Sequence, residues 1–132
     1  MNEDGAAGLV LLGLIGVLLL FGIALGSMGA YLRMRVEAGA TADAAALAAA
    51  PVTFLPFGAA GTAEAEAGRF TRMNGFDLIS CVCPQDPSWE ARTVTVTVGR
   101  TLRLWPIGTV TVEATSRAEF APALLLDGPL EP

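Results

Sequence analysis

The chain has no histidine and no lysine. The first absence removes the commonest general base and the commonest metal ligand. The second leaves arginine as the only basic side chain, 8 against 13 Asp and Glu, for a net charge of −5. Nucleic-acid binding wants a basic face, so that class is excluded. Cysteine is scarce as well, with only Cys81 and Cys83. A thiolate nucleophile needs a neighbouring base, and a zinc site usually needs four ligands; neither requirement is met around this pair. Glu64, Glu66, Glu113 and Glu119 read as solvated faces. The expectation is therefore no enzyme, no catalytic residue, no metal, no cofactor and no small-molecule substrate. Cys81 and Cys83 read as structural, and as a candidate disulfide. Side chains two apart in a strand point the same way, although the ring they close is tight.

Charge is also missing from one long stretch. Residues 6–32 run AAGLVLLGLIGVLLLFGIALGSMGAYL without a charged side chain and without a polar one before Ser27. A membrane span needs roughly 20 apolar residues in a helix, and a soluble helix this apolar on all sides has nowhere to be buried. Residues 6–32 are therefore expected to be a transmembrane helix in contact with membrane lipid. Residues 1–5 form a short acidic tail without the basic start of a secretory signal peptide, so the span is expected to be a retained anchor. Ser27-Met28-Gly29 does supply a small-x-small pattern that a signal peptidase accepts. Residues 33–50 continue the helix through an alanine-rich tract, with alanine the best helix former and no proline before Pro51. The whole helix should be about 65 Å long. Gly39 is its weakest point. Gly22, Gly26 and Ala30 place small residues one turn apart, a surface on which another helix can approach closely.

The rest is a small head, 51–121, and a tail, 122–132, that carries Leu124-Leu-Leu126. Pro51 and Pro56 should break the long helix. Thr62 is placed to cap a second helix that stops at Asn74-Gly75, with Ala63, Ala67, Phe70 and Met73 as its apolar face. The period then changes to two. One strand is expected over 76–83, with Phe76, Leu78 and Val82 on one face. A second is expected over 92–102, with Val94, Val96 and Val98 against three threonines. A third, over 109–120, sets Val110, Val112, Ala114, Ala118 and Phe120 against a polar face. One apolar and one polar face describe an antiparallel sheet covered on one side, with the alanine half of the long helix as its cover. The fold class is α+β: a long N-terminal transmembrane helix, a second short helix and a three-stranded antiparallel sheet.

An apolar helix that runs into an alanine-rich half and then a small sheet is the layout of pilin-like proteins. Gly5-Ala-Ala-Gly-Leu-Val resembles the start of the TadE/TadG-like proteins of tight-adherence (Flp-type, type IV) pilus systems. The run around Ala42, Asp43 and Leu47, ADAAALA, resembles the signature that follows their span. Ala67-Gly-Arg69-Phe70, Asn74-Gly75, Cys81 and the VTVTV strand resemble the short actinobacterial branch of that group. The resemblance implies a minor pilin or pseudopilin whose partners are membrane lipid and other pilin or pilus-assembly proteins. It also implies a processing glycine, and Gly5 stands in that place. Prepilins carry a glutamate five residues after it, where this chain has Val10, and the basic leader is missing as well. Without that carboxylate, a minor, capping or scaffold role is expected rather than a long filament. The alternative is a single-pass, membrane-anchored extracytoplasmic binding module with no pilus role. Topology divides the two lines of argument. Arg33 and Arg35 favour a cytoplasmic C-terminal side by the positive-inside rule. The resemblance implies a cytoplasmic N-terminus and an extracytoplasmic head.

Overall fold

The computed structural model describes residues 3–55, 61–106 and 108–126. In chain order the elements are α1 (Glu3–Val52), α2 (Ala63–Met73), β1 (Asp77–Val82), β2 (Arg92–Leu104) and β3 (Gly108–Phe120), closed by a 3-10 turn at Pro122–Leu125. The α+β class, the long helix, the second helix and the three-stranded antiparallel sheet are as the sequence implies. The sheet order is β1-β2-β3. Pro56, Met1, Asn2 and residues 127–132 of the tail lie outside the described residues.

α1 is 50 residues long and unbroken at Gly39. It begins at Glu3, inside the stretch read as a tail, and it does not stop at Pro51. Proline so near a C-terminus forfeits one N–H and leaves the earlier turns intact, so the helix runs through Val52. Thr53 then closes the end, its N–H and its hydroxyl both donating to the Ala50 carbonyl. From Ser27 onward one stripe of α1 is covered. Ser27 and Tyr31 are half-buried, and Met34, Ala38, Ala42, Ala45, Ala46 and Ala49 are buried. Steps of three and four residues keep these side chains on one face. Val94, Val96 and Val98 of β2 and Val112 and Ala118 of β3 meet that face, so the core is a layer of alanine against a layer of valine. Small side chains on the helix let the two layers approach closely.

α2 is capped as expected. The Thr62 side chain accepts from the Ala65 N–H at 3.1 Å, and Glu64 and Glu66 stand in the first turn where the helix dipole favours anions. Glu66 also takes both ends of the Arg69 guanidinium, at 3.0 and 2.7 Å, which holds its carboxyl below the usual range. Its buried face differs from the expected one at Met73, which is 69% exposed. Ala63, Ala67 and Thr71 are one turn apart and form the buried line, with Gly68 beside it. The Thr71 hydroxyl satisfies itself on the Gly68 carbonyl at 3.0 Å, so a polar residue is tolerated there. Replacing Thr62 with alanine is expected to cost about 1 kcal/mol, because one orphan N–H of the first turn loses its acceptor. Thermal unfolding of the full chain in detergent micelles measures it, and an unchanged midpoint would show that the cap contributes nothing.

β1 departs from the expected alternation. Its pairing with β2 slips between Leu78 and Ser80, so Ile79 is an extra residue. The bulge reverses the alternation of everything after it. Cys81, opposite Val96, faces the core, whereas Val82, expected beside Leu78, is 64% exposed. Gly99 makes room for the bulge: a Cβ there would stand 2.5 Å from the Ile79 Cδ1. β2 and β3 form a regular hairpin of 13 residues each, from Arg92↔Phe120 to Leu104↔Gly108. Both are slightly longer than expected. Trp105 and Pro106, joined by a cis peptide, begin the turn, and Gly108 re-enters β3 at a φ of 110°, where a Cβ is strained.

At the end of the head opposite the turn, Arg92 is buried at the start of β2. Its guanidinium donates to the carbonyls of Thr53 at 3.2 Å, of Glu90 at 3.3 Å, and of Asp86 and Ser88 at short range. It also lies over the Phe54 ring, against which Trp89 packs edge-on at 4.8 Å. Asp86 closes the same loop by accepting from the Ser88 N–H at 2.7 Å, a bond that lowers its carboxyl pKa. Thus one side chain gathers the break after α1 and the loop between β1 and β2.

Candidate functional site: the uncovered helix and the hairpin that meets it

Among the described residues, α1 N-terminal to Ser27 is almost wholly exposed, with only Ala24 bordering the hairpin. Leu9, Val10, Leu11, Leu12, Leu18 and Phe21 are all more than half exposed, and the most apolar part of the helix is entirely unburied. So large an apolar surface on a lone helix needs a cover of lipid or of other helices. By length and composition, this one helix can cross a membrane.

Gly22 and Gly26 lie within the uncovered part, and a Cβ added to either meets no atom within 4 Å. Among the described residues nothing occupies the close approach they permit. At 100° per residue, the line of Gly22, Gly26 and Ala30 lies about 110° around the helix from the stripe of Ser27, Tyr31, Met34 and Ala38 that carries the head. A second helix can therefore reach the glycines without meeting the sheet.

The remaining sequence-singled residues fall in the covered half. Ala42 is fully buried in the core. Asp43, one residue on, is exposed and accepts a hydrogen bond from the Ser116 hydroxyl of β3, which ties helix to sheet at the edge of the interface. Leu47, one turn further, is 66% exposed on the same flank as Asp43. Cys81 and Cys83 are joined as a disulfide, Cα to Cα 5.4 Å, beneath which lies the valine layer. Gly5 is within α1. Arg33 pairs with Glu37 at 2.8 Å, one turn on, which raises its pKa. These features are spread along the molecule and converge on no cleft. Among the described residues no group of three or more acidic or cysteine side chains is placed to hold a metal ion.

Sequence reasoning missed one contact. The β2–β3 turn reaches down α1 as far as Ser27, whose hydroxyl donates to the Trp105 carbonyl at 3.3 Å. Leu104 is buried there, and an open apolar recess lies between helix and hairpin, lined by Ala24, Ser27, Met28, Tyr31 and Leu104. The head thus begins inside the apolar run, not after it. Ser27 is the first polar side chain of that run, and that was the one signal for this contact in the sequence.

Residues 5–52 match the family described as putative Flp pilus-assembly TadE/G-like. The match covers α1 and ends before the head. No curated protein and no solved structure matches the chain.

Proposed function

We propose that this chain, TadE/G-like over residues 5–52, is a membrane-anchored, minor pilin-like component of a Flp/Tad-type pilus assembly or a related secretion system. The observation that carries the reading is the pairing of that match with a helix whose N-terminal half is apolar and wholly uncovered. The role is mechanical and not enzymatic. α1 anchors the chain in lipid and offers Gly22, Gly26 and Ala30 to the helix of another pilus protein, while the head is carried rigidly on the alanine half. The likeness of the head to the short actinobacterial branch rests on residues outside 5–52 and belongs to this proposal. Val10 in place of the glutamate of prepilins favours a scaffold or capping role over a self-polymerising one.

Replacing Gly22 and Gly26 together with leucine is the direct test. Leucine adds bulk where backbones would meet yet leaves the span as apolar as before, so insertion should persist and association should weaken. Co-purification with pilus-assembly proteins is expected to fall at least tenfold. Co-purification at the wild-type level would remove this surface from the proposal and favour the binding-module alternative.

We further place the head outside the cytoplasm. The resemblance and the Cys81–Cys83 disulfide, which suits an oxidising compartment, support this side. The arginines near the span oppose it. A single cysteine at Glu64, exposed in the first turn of α2, decides the matter in a Cys81→Ser, Cys83→Ser background. A membrane-impermeant thiol reagent is expected to label it in intact cells. Labelling only after lysis would place the head in the cytoplasm.

A further inference from the structure

The β2–β3 turn meets α1 where the bare part of the helix ends. Trp105 is 74% exposed, although its own carbonyl is held by Ser27 and the neighbouring Leu104 is buried. A large aromatic is thus presented outward at the point where the bare part of α1 ends. Below that point, residues 6–26 span about 30 Å as a helix, the thickness of a bilayer's hydrocarbon core. The turn therefore stands at one surface of the membrane if the bare segment fills it. Trp is enriched at that depth because its ring is apolar and its N–H seeks a wet partner.

Charge agrees with this placement. Residues 27–36 of α1 and 100–112 of the hairpin flank the turn and contain Arg33, Arg35, Arg100 and Arg103; Arg33 is taken by Glu37 and Arg100 lies over the Phe76 ring, so among the described residues Arg35 and Arg103 are the two left to face a lipid surface. Guanidinium groups bind phosphate oxygens in a forked geometry, and their stems lie along apolar surface while the heads reach water. The open recess between Ala24, Met28, Tyr31 and Leu104 is apolar, as the adjoining acyl chains require.

We infer that the β2–β3 turn is an interfacial anchor: Trp105 sits at the boundary of acyl chain and headgroup, and Arg35 and Arg103 beside it engage phospholipid phosphates. This inference rests on the membrane-anchored reading of α1 and deepens it. The head does not swing on a tether above the bilayer. It is held at two points, α1 and the turn, and the two together fix how deeply α1 is inserted.

The test is fluorescence quenching in phosphatidylcholine vesicles whose acyl chains are brominated either at a shallow or at a deep position. The full chain with Trp89→Phe carries Trp105 as its only tryptophan. Shallow bromines are expected to quench it at least twofold more than deep ones. The chain with Trp105→Phe, which retains Trp89 at the far end of the head, should be quenched by neither. It guards against misfolding of the Trp89 variant, since comparison with wild type isolates the Trp105 signal on its own. A third chain, with Leu18→Trp in the absence of both native tryptophans, reports the span and should be quenched most by deep bromines. Quenching at Leu18→Trp with none at Trp105 would overturn the anchor and leave the span intact. No quenching at Leu18→Trp would overturn the membrane reading and the anchor with it.

Discussion

Replacing Arg92 with methionine is expected to lower the stability of the head by about 3 kcal/mol. Methionine fills much of the same space and keeps the contact with the Phe54 ring, so the change isolates the polar work of the guanidinium. That work is large because the partners are carbonyls. The oxygens of Asp86, Ser88 and Glu90 lose a charged donor, while Thr53 keeps the Asp86 N–H at 3.1 Å. A hydrogen bond to a charged group is worth about 1.5–3 kcal/mol, and a buried acceptor left without a donor costs about 1–3. Water entering the exposed loop offsets part of this sum. Lysine should restore less than half of the loss, since one ammonium cannot fork between carbonyls on two sides. With Trp105→Phe in the background, the Trp89 fluorescence of the full chain in micelles follows the loop during unfolding, because Trp89 packs on Phe54. A methionine variant that unfolds with the wild type would mean that the loop closes without the guanidinium.

Arg92 also marks where sequence reading ends. Its partners are main-chain oxygens, which every residue has, so no pattern of side chains announces it. The long helix and the faces of β2 and β3 are different. An uncharged run, an alanine tract and alternating valines each carry their period in composition, and Val94, Val96 and Val98 are buried as the alternation requires. The bulge at Ile79 has no such signature; what permits it is a glycine 20 residues on, and it decides that Cys81 rather than Val82 joins the core. Met73 was read as buried because it is apolar, but helix geometry gave the place to Thr71, whose hydroxyl bonds locally. The contact of Ser27 with Trp105 joins residues 78 apart and follows from the length of the hairpin laid along α1, a tertiary fact. Gly22 and Gly26 were legible as small residues, and the open space beside them shows only that none of the described residues fills it.

Replacing Ala42 and Ala45 together with leucine should separate the head from α1 at a cost of about 4 kcal/mol. Both side chains are fully buried against the sheet and α2, where an alanine layer meets a valine layer. Each leucine brings three extra carbons into space already filled, and overpacking of a tight core costs about 1–3 kcal/mol per site. Leucine forms helix almost as well as alanine, so α1 itself is not weakened and the loss belongs to packing. Ala40→Leu, on the exposed side of the same helix, should shift stability by no more than about 0.5 kcal/mol. Amide exchange gives the second readout. β2 and β3 should lose protection in the double variant, whereas residues 6–26 should keep theirs, because the head does not cover them. The association proposed for Gly22 and Gly26 should likewise survive, since those glycines lie on another flank of α1. Together these outcomes would show two surfaces on one helix, an alanine face that holds the head and a glycine face left for a partner. Unchanged unfolding in the double variant would deny that the alanine tract is the floor of the head. Loss of association in it would mean that the partner reads the head as well as the helix.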